Sequence, residues 1–238
     1  MKIKGEKLKI LGVIVARGGS TGVPRKNLKK INDIPLIGYT FNAVKKSSLL
    51  TDTILSTDSE EIQEFALQSD IDTPFIRPSR LANDVISPMY SVLHALDFME
   101  KKGKHYDAVM MLQPTAPFRT DKDIDGAIIL LENSLADSVI SVVDVGANHP
   151  ARMKYLDGDR LLDPPFCEEY ENQRRQELKQ MFIRNGAIYL TKTSVLKKES
   201  FKGNDCRAWV MPWNRSINID TFEDFIYANW IQSKGLNK

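Results

Sequence analysis

The sequence predicts an α/β fold, an open and mostly parallel sheet with helices on both faces, and three observations carry that prediction. Residues 10–16 and 108–112 are apolar almost throughout, the pattern of strands buried on both faces. Both runs end abruptly in a turn rich in glycine or proline. Up to residue 143, short apolar or β-branched segments alternate with stretches of helical periodicity, the rhythm of βα units.

Taken in order, residues 10–16 form the first strand and residues 28–33 a short connection. A helix follows over 35–46, with Pro35 in its first turn, apolar Leu36, Ile37, Phe41 and Val44 on one side, and Lys45 and Lys46 at its negative end. Residues 53–58 read as a strand, and Ser59 with Glu60 and Glu61 starts a helix reaching about Ser69. Residues 75–77 read as another strand end, 78–88 as a surface loop and 88–101 as a helix. After the strand at 108–112 comes a two-proline loop, residues 113–119. Thr120 caps a helix over 121–133, and 138–143 is the next strand. From Asp144 to Gln180 the rhythm breaks into turn signals, Pro164-Pro165 and a dense polar run. It returns with strands at 187–191 and 209–211 and an amphipathic helix over 221–233. Residues 216–220 alternate, which puts Asn218 and Asp220 on one strand face and Ile217 and Ile219 on the other.

At 238 residues with 42% hydrophobic content, the chain can bury a full core as a single domain. Its net charge of +2 gives no global basic field for nucleic acid. Cys167 and Cys206 fit no zinc or redox spacing, which suggests reduced thiols in a cytoplasmic protein, and His94, His105 and His149 are too scattered for a metal site. The first nine residues and the apolar run after them mimic a signal peptide, but the run is short and ends in charge, so it is read as a strand. No stretch is long enough to span a bilayer, and a membrane partner is not expected.

Basic groups therefore matter locally. Gly18, Gly19 and Gly22 free the backbone and expose main-chain N–H groups, with Arg17, Arg25 and Lys26 close by, a combination suited to a polyanion such as phosphate. A glycine turn after a strand is also often only a turn. Neither the Walker A nor the G-x-G-x-x-G pattern is present. Gly18-Gly19-Ser20-Thr21-Gly22 satisfies G-x-S-x-G, which would make Ser20 a hydrolase nucleophile, but only one strand precedes it and Pro24 follows. In a parallel sheet, ligands sit beyond the carboxyl ends of the strands, which would set Gln113 and Arg119 beside the glycine loop; a stiff connector is the alternative. Asp220 could hold Mg²⁺ against a triphosphate, or simply assist the helix that follows it.

Four segments, in order along the chain, resemble the bacterial acylneuraminate cytidylyltransferases (CMP-sialic acid synthetases) and the wider group activating Kdo and related sugars. They are Ala-Arg-Gly-Gly-Ser-Thr-Gly-Val-Pro-Arg-Lys-Asn at 16–27, Leu-Gln-Pro-Thr-Ala-Pro-Phe-Arg at 112–119, Arg-Asn-Gly-Ala-Ile-Tyr at 184–189 and Ser-Ile-Asn-Ile-Asp-Thr-Phe-Glu-Asp-Phe at 216–225, with residues 77–84 as further support. The resemblance implies a nucleotidyltransferase-type fold, one domain over 1–238 with a dimerisation arm inserted at 144–182, and transfer of CMP from CTP to the anomeric hydroxyl of a sialic-acid-like sugar. It implies Arg17, Lys26 and Asp220 as catalytic. Nucleotide binding would fall to Ala16, Arg17, Gly18, Gly19, Ser20, Arg25, Lys26 and Asn27, joined by Arg77 and Ser87. Gln113, Arg175, Gln176 and Asn185 would meet the sugar, and Asp220 with Asn218 would bind Mg²⁺ as cofactor. A homodimer is implied as well.

Three departures qualify the match: Asn218 where Asp-x-Asp is frequent, Thr21 for a frequent lysine, and Ile183 where arginine is common. They point toward an acceptor such as legionaminate or pseudaminate. Two rival readings stand beside this one, a non-catalytic nucleotide-binding module and a serine hydrolase using Ser20.

Overall fold

The computed structural model describes residues 7–19, 22–83 and 85–237. Strand β1 (Ile10–Val15) is followed by a two-residue hairpin, β2 (Lys30–Ile31) and β3 (Ile34–Pro35), then helix α1 (Leu36–Lys46), β4 (Asp52–Ser56), α2 (Glu60–Gln68), α3 (Pro88–Lys101), β5 (Ala108–Leu112), α4 (Asp121–Glu132) and β6 (Ser138–Asp144). Beyond these lie a second hairpin, β7 (Tyr155–Asp157) and β8 (Arg160–Leu162), then β9 (Phe182–Lys192), a single turn α5 (Thr193–Leu196), β10 (Cys206–Val210) and α6 (Phe222–Ser233). Six strands form the main sheet in the order β10-β6-β9-β5-β1-β4. β1 runs parallel to β4 and β5, and β10 parallel to β6, whereas β9 is antiparallel to both of its neighbours.

Alternation along β1 decides which helices cover which face. Ile10 and Ile14 pack with Ile37 and Phe41 of α1, Ile62 of α2 and Ile124 of α4. Leu11 and Val13 pack on the other side with Val92, Leu96 and Met99 of α3 and Leu196 of α5. Both faces are dry, so the strand has no polar side to show. A third cluster joins Ile31 and Leu36 to Phe118, Ile217, Ile219 and the inner face of α6.

Several elements differ from the sequence expectation: β10 starts at Cys206 rather than at 209, and the connection at 28–33 runs into the hairpin β2–β3. Residues 75–77 form no strand: Pro74 and Pro78 flank them, and the bridge to β4 is made earlier, by Asp72 to Ile54. Residues 216–220 make no ladder either, although their alternation survives, with Ile217 and Ile219 buried and Asn218 and Asp220 exposed. β9 starts five residues before the expected 187, because Asn185-Gly186 is a bulge within the strand rather than a turn before it. Gly186 has φ +76°, and the pairing with β6 slips between Ile140 and Val142. Within 144–182 the regular structure is the hairpin β7–β8, all of it exposed.

Asp123 ties three elements together. It forms a reciprocal capping box with Thr120 at the start of α4, accepts from Trp209 Nε1 of β10 at 3.2 Å, and is paired with Arg215. Burial alone would raise its carboxyl, but the hydrogen bonds from Arg215, Thr120 and Trp209 outweigh burial and hold it below the ordinary aspartate range. Asp123→Ala is expected to destabilise the fold by about 3 kcal/mol at pH 7, measured by urea unfolding. A depressed folded-state value stabilises above the unfolded value of about 3.9, so the gap between variant and parent should shrink as pH falls through that region.

Candidate functional site

Past β1 the chain turns over the end of the sheet. Ala16 N–H donates to Ser56 O at 3.1 Å, and Gly18 N–H donates to Asp58 Oδ1 at 3.0 Å. A Cβ on Gly18 would stand 2.9 Å from that of Ser59, so the missing side chain lets the loop lie against the β4–α2 turn. Buried Asn27 donates to Arg17 O at 2.9 Å and holds the loop from below. Ser20 and Thr21 lie outside the described residues, so Ser20 is neither placed as a phosphate ligand nor tested as a nucleophile.

The segment before α6 forms the facing wall. Buried Ile217 and Ile219 anchor it in the third hydrophobic cluster, and Ile219 N–H donates to Thr115 O at 2.8 Å. Asn218 and Asp220 are thereby turned outward. Lys26 Nζ donates to Ile219 O at 2.7 Å and lies 3.4 Å from the Asp220 carboxylate, to which Asn218 Nδ2 donates at 2.5 Å. Gly22 backs directly onto this segment: a Cβ there would meet Asp220 O at 2.2 Å. Asp220 does not serve α6 as a cap. Thr221 and Asp224 form the capping box, and the Asp220 carboxylate turns to Lys26 and Asn218 instead.

The two-proline loop supplies the third wall through Gln113, Pro114 and Thr115. Arg119 is not in the cleft. It is buried beneath the loop and donates to Gln113 O, Ala187 O and Thr40 Oγ1 at 2.7, 2.7 and 2.5 Å. Burial pushes its guanidinium down to about 9, still protonated at neutral pH. Asn185 also faces inward, accepting from Ser141 Oγ at 2.6 Å and donating to Ser216 Oγ at 2.9 Å. Its neighbour Gly186 backs onto two cleft-lining side chains: a Cβ there would stand 3.3 Å from both Gln113 Oε1 and Asn218 Oδ1.

These walls enclose a cleft of about 770 Å³ at the carboxyl edge of β1 and β5. Arg17, Lys26, Asn27, Arg77, Gln113, Asn218 and Asp220 all line it. Arg77 is 2% exposed, donates to Asp58 Oδ1 at 3.3 Å, and has its guanidinium lowered by burial against the opposing pull of Asp58. Other expected residues stand elsewhere. Arg25, with φ 53°, pairs with Glu61; Ser87 caps α3 by accepting from Met89 N–H; and Ala16, Gly18 and Gly19 are not cleft-lining. Arg175 and Gln176 line a separate cavity with Asp144 and His149, which shares no lining residue with the cleft. Sequence reasoning passed over Asn83 and Ser91, which also face the cleft. Asn83 sits within the motif at 77–84, whereas nothing in the periodicity of α3 marks Ser91.

An open α/β sheet with a cationic glycine loop and a carboxylate facing each other across one cleft, at the carboxyl ends of its strands, has the layout of a phosphate-handling enzyme site of the nucleotidyltransferase type. A family model described as cytidylyltransferase matches residues 11–199, and the chain belongs to that family. The CMP-N,N'-diacetyllegionaminic acid synthase of Legionella pneumophila is 30% identical over 217 residues, covering 90% of this chain and 92% of the relative. The pseudaminic acid cytidylyltransferase of Campylobacter jejuni is 28% identical over 222 residues, covering 93% and 95%. A solved CMP:2-keto-3-deoxy-manno-octonic acid synthetase in complex with CTP superposes with a TM-score of 0.71 over 95% of this chain and 99% of that one, at 17% identity, which establishes the shared fold.

Gly186→Ala tests the third wall. The added methyl enters a left-handed position and presses on both amide oxygens, so kcat/KM for the acceptor should fall about 100-fold. Thermal unfolding will show whether the protein remains folded.

Proposed function

We propose that this enzyme transfers CMP from CTP to the anomeric hydroxyl of a nonulosonic acid of the sialic, legionaminic or pseudaminic type, releasing pyrophosphate. The observation that carries this reading is the convergence of Arg17, Lys26 and Asp220 on one cleft, from opposite ends of the chain. Its volume lies in the range of pockets that enclose a ligand rather than graze it. Relatives at 30% and 28% identity act on legionaminic and pseudaminic acids, and that supports the acceptor class.

In this reading the anomeric hydroxyl oxygen bonds to the α-phosphorus and gives up its proton to solvent, while the bond from that phosphorus to the α,β-bridging oxygen breaks and that oxygen leaves with pyrophosphate. Phosphoryl transfer of this kind needs in-line placement and charge neutralisation more than covalent help. Arg17 and Lys26 neutralise the triphosphate, each contact worth about 1.5–3 kcal/mol. Gln113 orients the acceptor at the end of β5. Asp220 and Asn218 are the residues that would hold Mg²⁺, which when bound supplies further positive charge to the phosphates. The outward Asp220 carboxylate fits as a hard oxygen ligand, since Mg²⁺ commonly takes one or two carboxylates and leaves the rest to water and phosphate; Asn218 turns its NH2 group to that carboxylate and its oxygen toward Gly186, so it would have to turn over to join as a ligand.

The remaining site residues belong to a homodimer built through 144–182, in which Arg175 and Gln176 serve the sugar from the partner's arm. Exposed Tyr155, Leu156, Leu161 and Phe166 on that arm give it an apolar surface to bury. No helix among the described residues is long and apolar enough to cross a membrane, and CTP as substrate suits a cytoplasmic enzyme.

Pyrophosphate release should require CTP, Mg²⁺ and one acid from a panel of N-acetylneuraminate, legionaminate, pseudaminate and Kdo. Silence with every acid, from folded protein, would overturn the reading. Lys26→Ala should weaken CTP binding about tenfold by calorimetry, since it removes a charged phosphate contact. Asp220→Asn should abolish the gain in CTP affinity that Mg²⁺ brings, and an undiminished gain would remove Asp220 from the metal role.

A further inference from the structure

We propose that Asp58 is a positioning residue for the nucleotide, an acid that sets the geometry of an anion site. The inference rests on the CTP reading above. Asp58 stands just past β4, and its side chain is 24% exposed. One oxygen, Oδ1, receives two donors: Gly18 N–H of the glycine loop at 3.0 Å and Arg77 NH2 at 3.3 Å.

Those two donors belong to different parts of the site. Gly18 lies in the turn that also carries Arg17, while Arg77 lines the cleft near Leu81, Asn83 and Ser91. Backbone bonds join the same two regions to β4: Ala16 N–H reaches Ser56 O at 3.1 Å, and Arg77 N–H reaches Thr57 O at 2.7 Å. Backbone thus fixes where the two segments pass, and Asp58 fixes how the loop amide and the guanidinium are turned.

Arg77 needs such a partner. It is buried, its Nε has no hydrogen-bond partner among the described residues, and besides Asp58 its guanidinium meets only neutral oxygens, Ser91 Oγ from NH1 at 3.3 Å and Ala16 O from NH2 at 3.5 Å. A buried guanidinium without a counter-charge is destabilising and would swing toward solvent or toward the nearest anion, which in the loaded cleft is the nucleotide itself. Asp58 therefore keeps Arg77 in place before the ligand arrives.

Charge and geometry make opposite predictions for its removal. A negative group beside a triphosphate loop opposes anion binding by Coulomb repulsion, so if charge alone mattered, neutralising Asp58 would tighten CTP binding. If position matters, neutralising it weakens binding although the site becomes more positive. Asn keeps an oxygen for the Gly18 N–H and should rescue part of what Ala loses.

Calorimetry of CTP on wild type, Asp58→Ala and Asp58→Asn decides between these. Expected dissociation constants rise about tenfold for Ala and about threefold for Asn, as befits loss of a charge-assisted bond and its replacement by a neutral one. KM for the acceptor should stay within about twofold, because the acceptor wall is untouched; a general loss of structure would move both. Equal or tighter CTP binding by either folded variant overturns the assignment. Should the Ala variant fail to fold, the Asn variant alone carries the test, and unchanged or tighter binding by it overturns the assignment just the same. Failure of wild type to bind CTP would instead overturn the functional reading on which the inference stands.

Discussion

The site depends on one constraint, the burial of Ile217 and Ile219 on either side of Asn218. With both isoleucines locked into the cluster under α6, the intervening asparagine and the following aspartate can only face outward. Burial of that apolar surface is worth about 1.5–3 kcal/mol per side chain, far more than the exposed ion pair between Lys26 and Asp220 supplies. The contact between the chain's two ends is therefore made by apolar packing and main-chain bonds. Lys26 follows the same order of strengths, since its short bond goes to the Ile219 carbonyl and its longer contact to the Asp220 carboxylate.

Preorganisation extends to the other walls by the same means. Arg119 spends its guanidinium on three groups of the scaffold, away from the cleft, and so fixes the Gln113 loop against β9 and α1. Asn185 does likewise for the bulge that brings Gly186 beneath Gln113 and Asn218. Both residues sit in motifs that suggest ligand contact, and both have their polar groups bonded to the scaffold. Charged and amide side chains buried among backbone carbonyls and hydroxyls hold loops that have no ladder of their own.

The fold was legible because its central strands are dry on both faces, and continuous apolar runs such as 10–16 and 108–112 permit few other readings. The antiparallel β9 was half-legible: its glycine reads locally as a breaker, and only pairing with Ile140 and Val142 makes it a bulge. In the site, Arg17, Lys26, Gln113 and Asp220 could be read from their positions just after strands or just before a helix. That Arg119 and Asn185 bond to the scaffold was not legible, because a sequence gives the residue type and not the direction of its side chain. Asp58 was passed over for the opposite reason. An acid near a phosphate loop looks like an ordinary residue before a capped helix until the Gly18 amide and Arg77 are seen on the same oxygen.

Asn218 departs from the frequent Asp-x-Asp, and the geometry gives that departure a reason. Its amide donates to Asp220 Oδ2 at 2.5 Å while its own oxygen lies toward Gly186. An aspartate in that place would set two carboxylate oxygens in contact, an arrangement that requires a proton or a cation between them. The amide removes that requirement. It fixes the Asp220 carboxylate through a charge-assisted bond, and so lets this wall of the cleft hold its shape without a proton or cation between two acids.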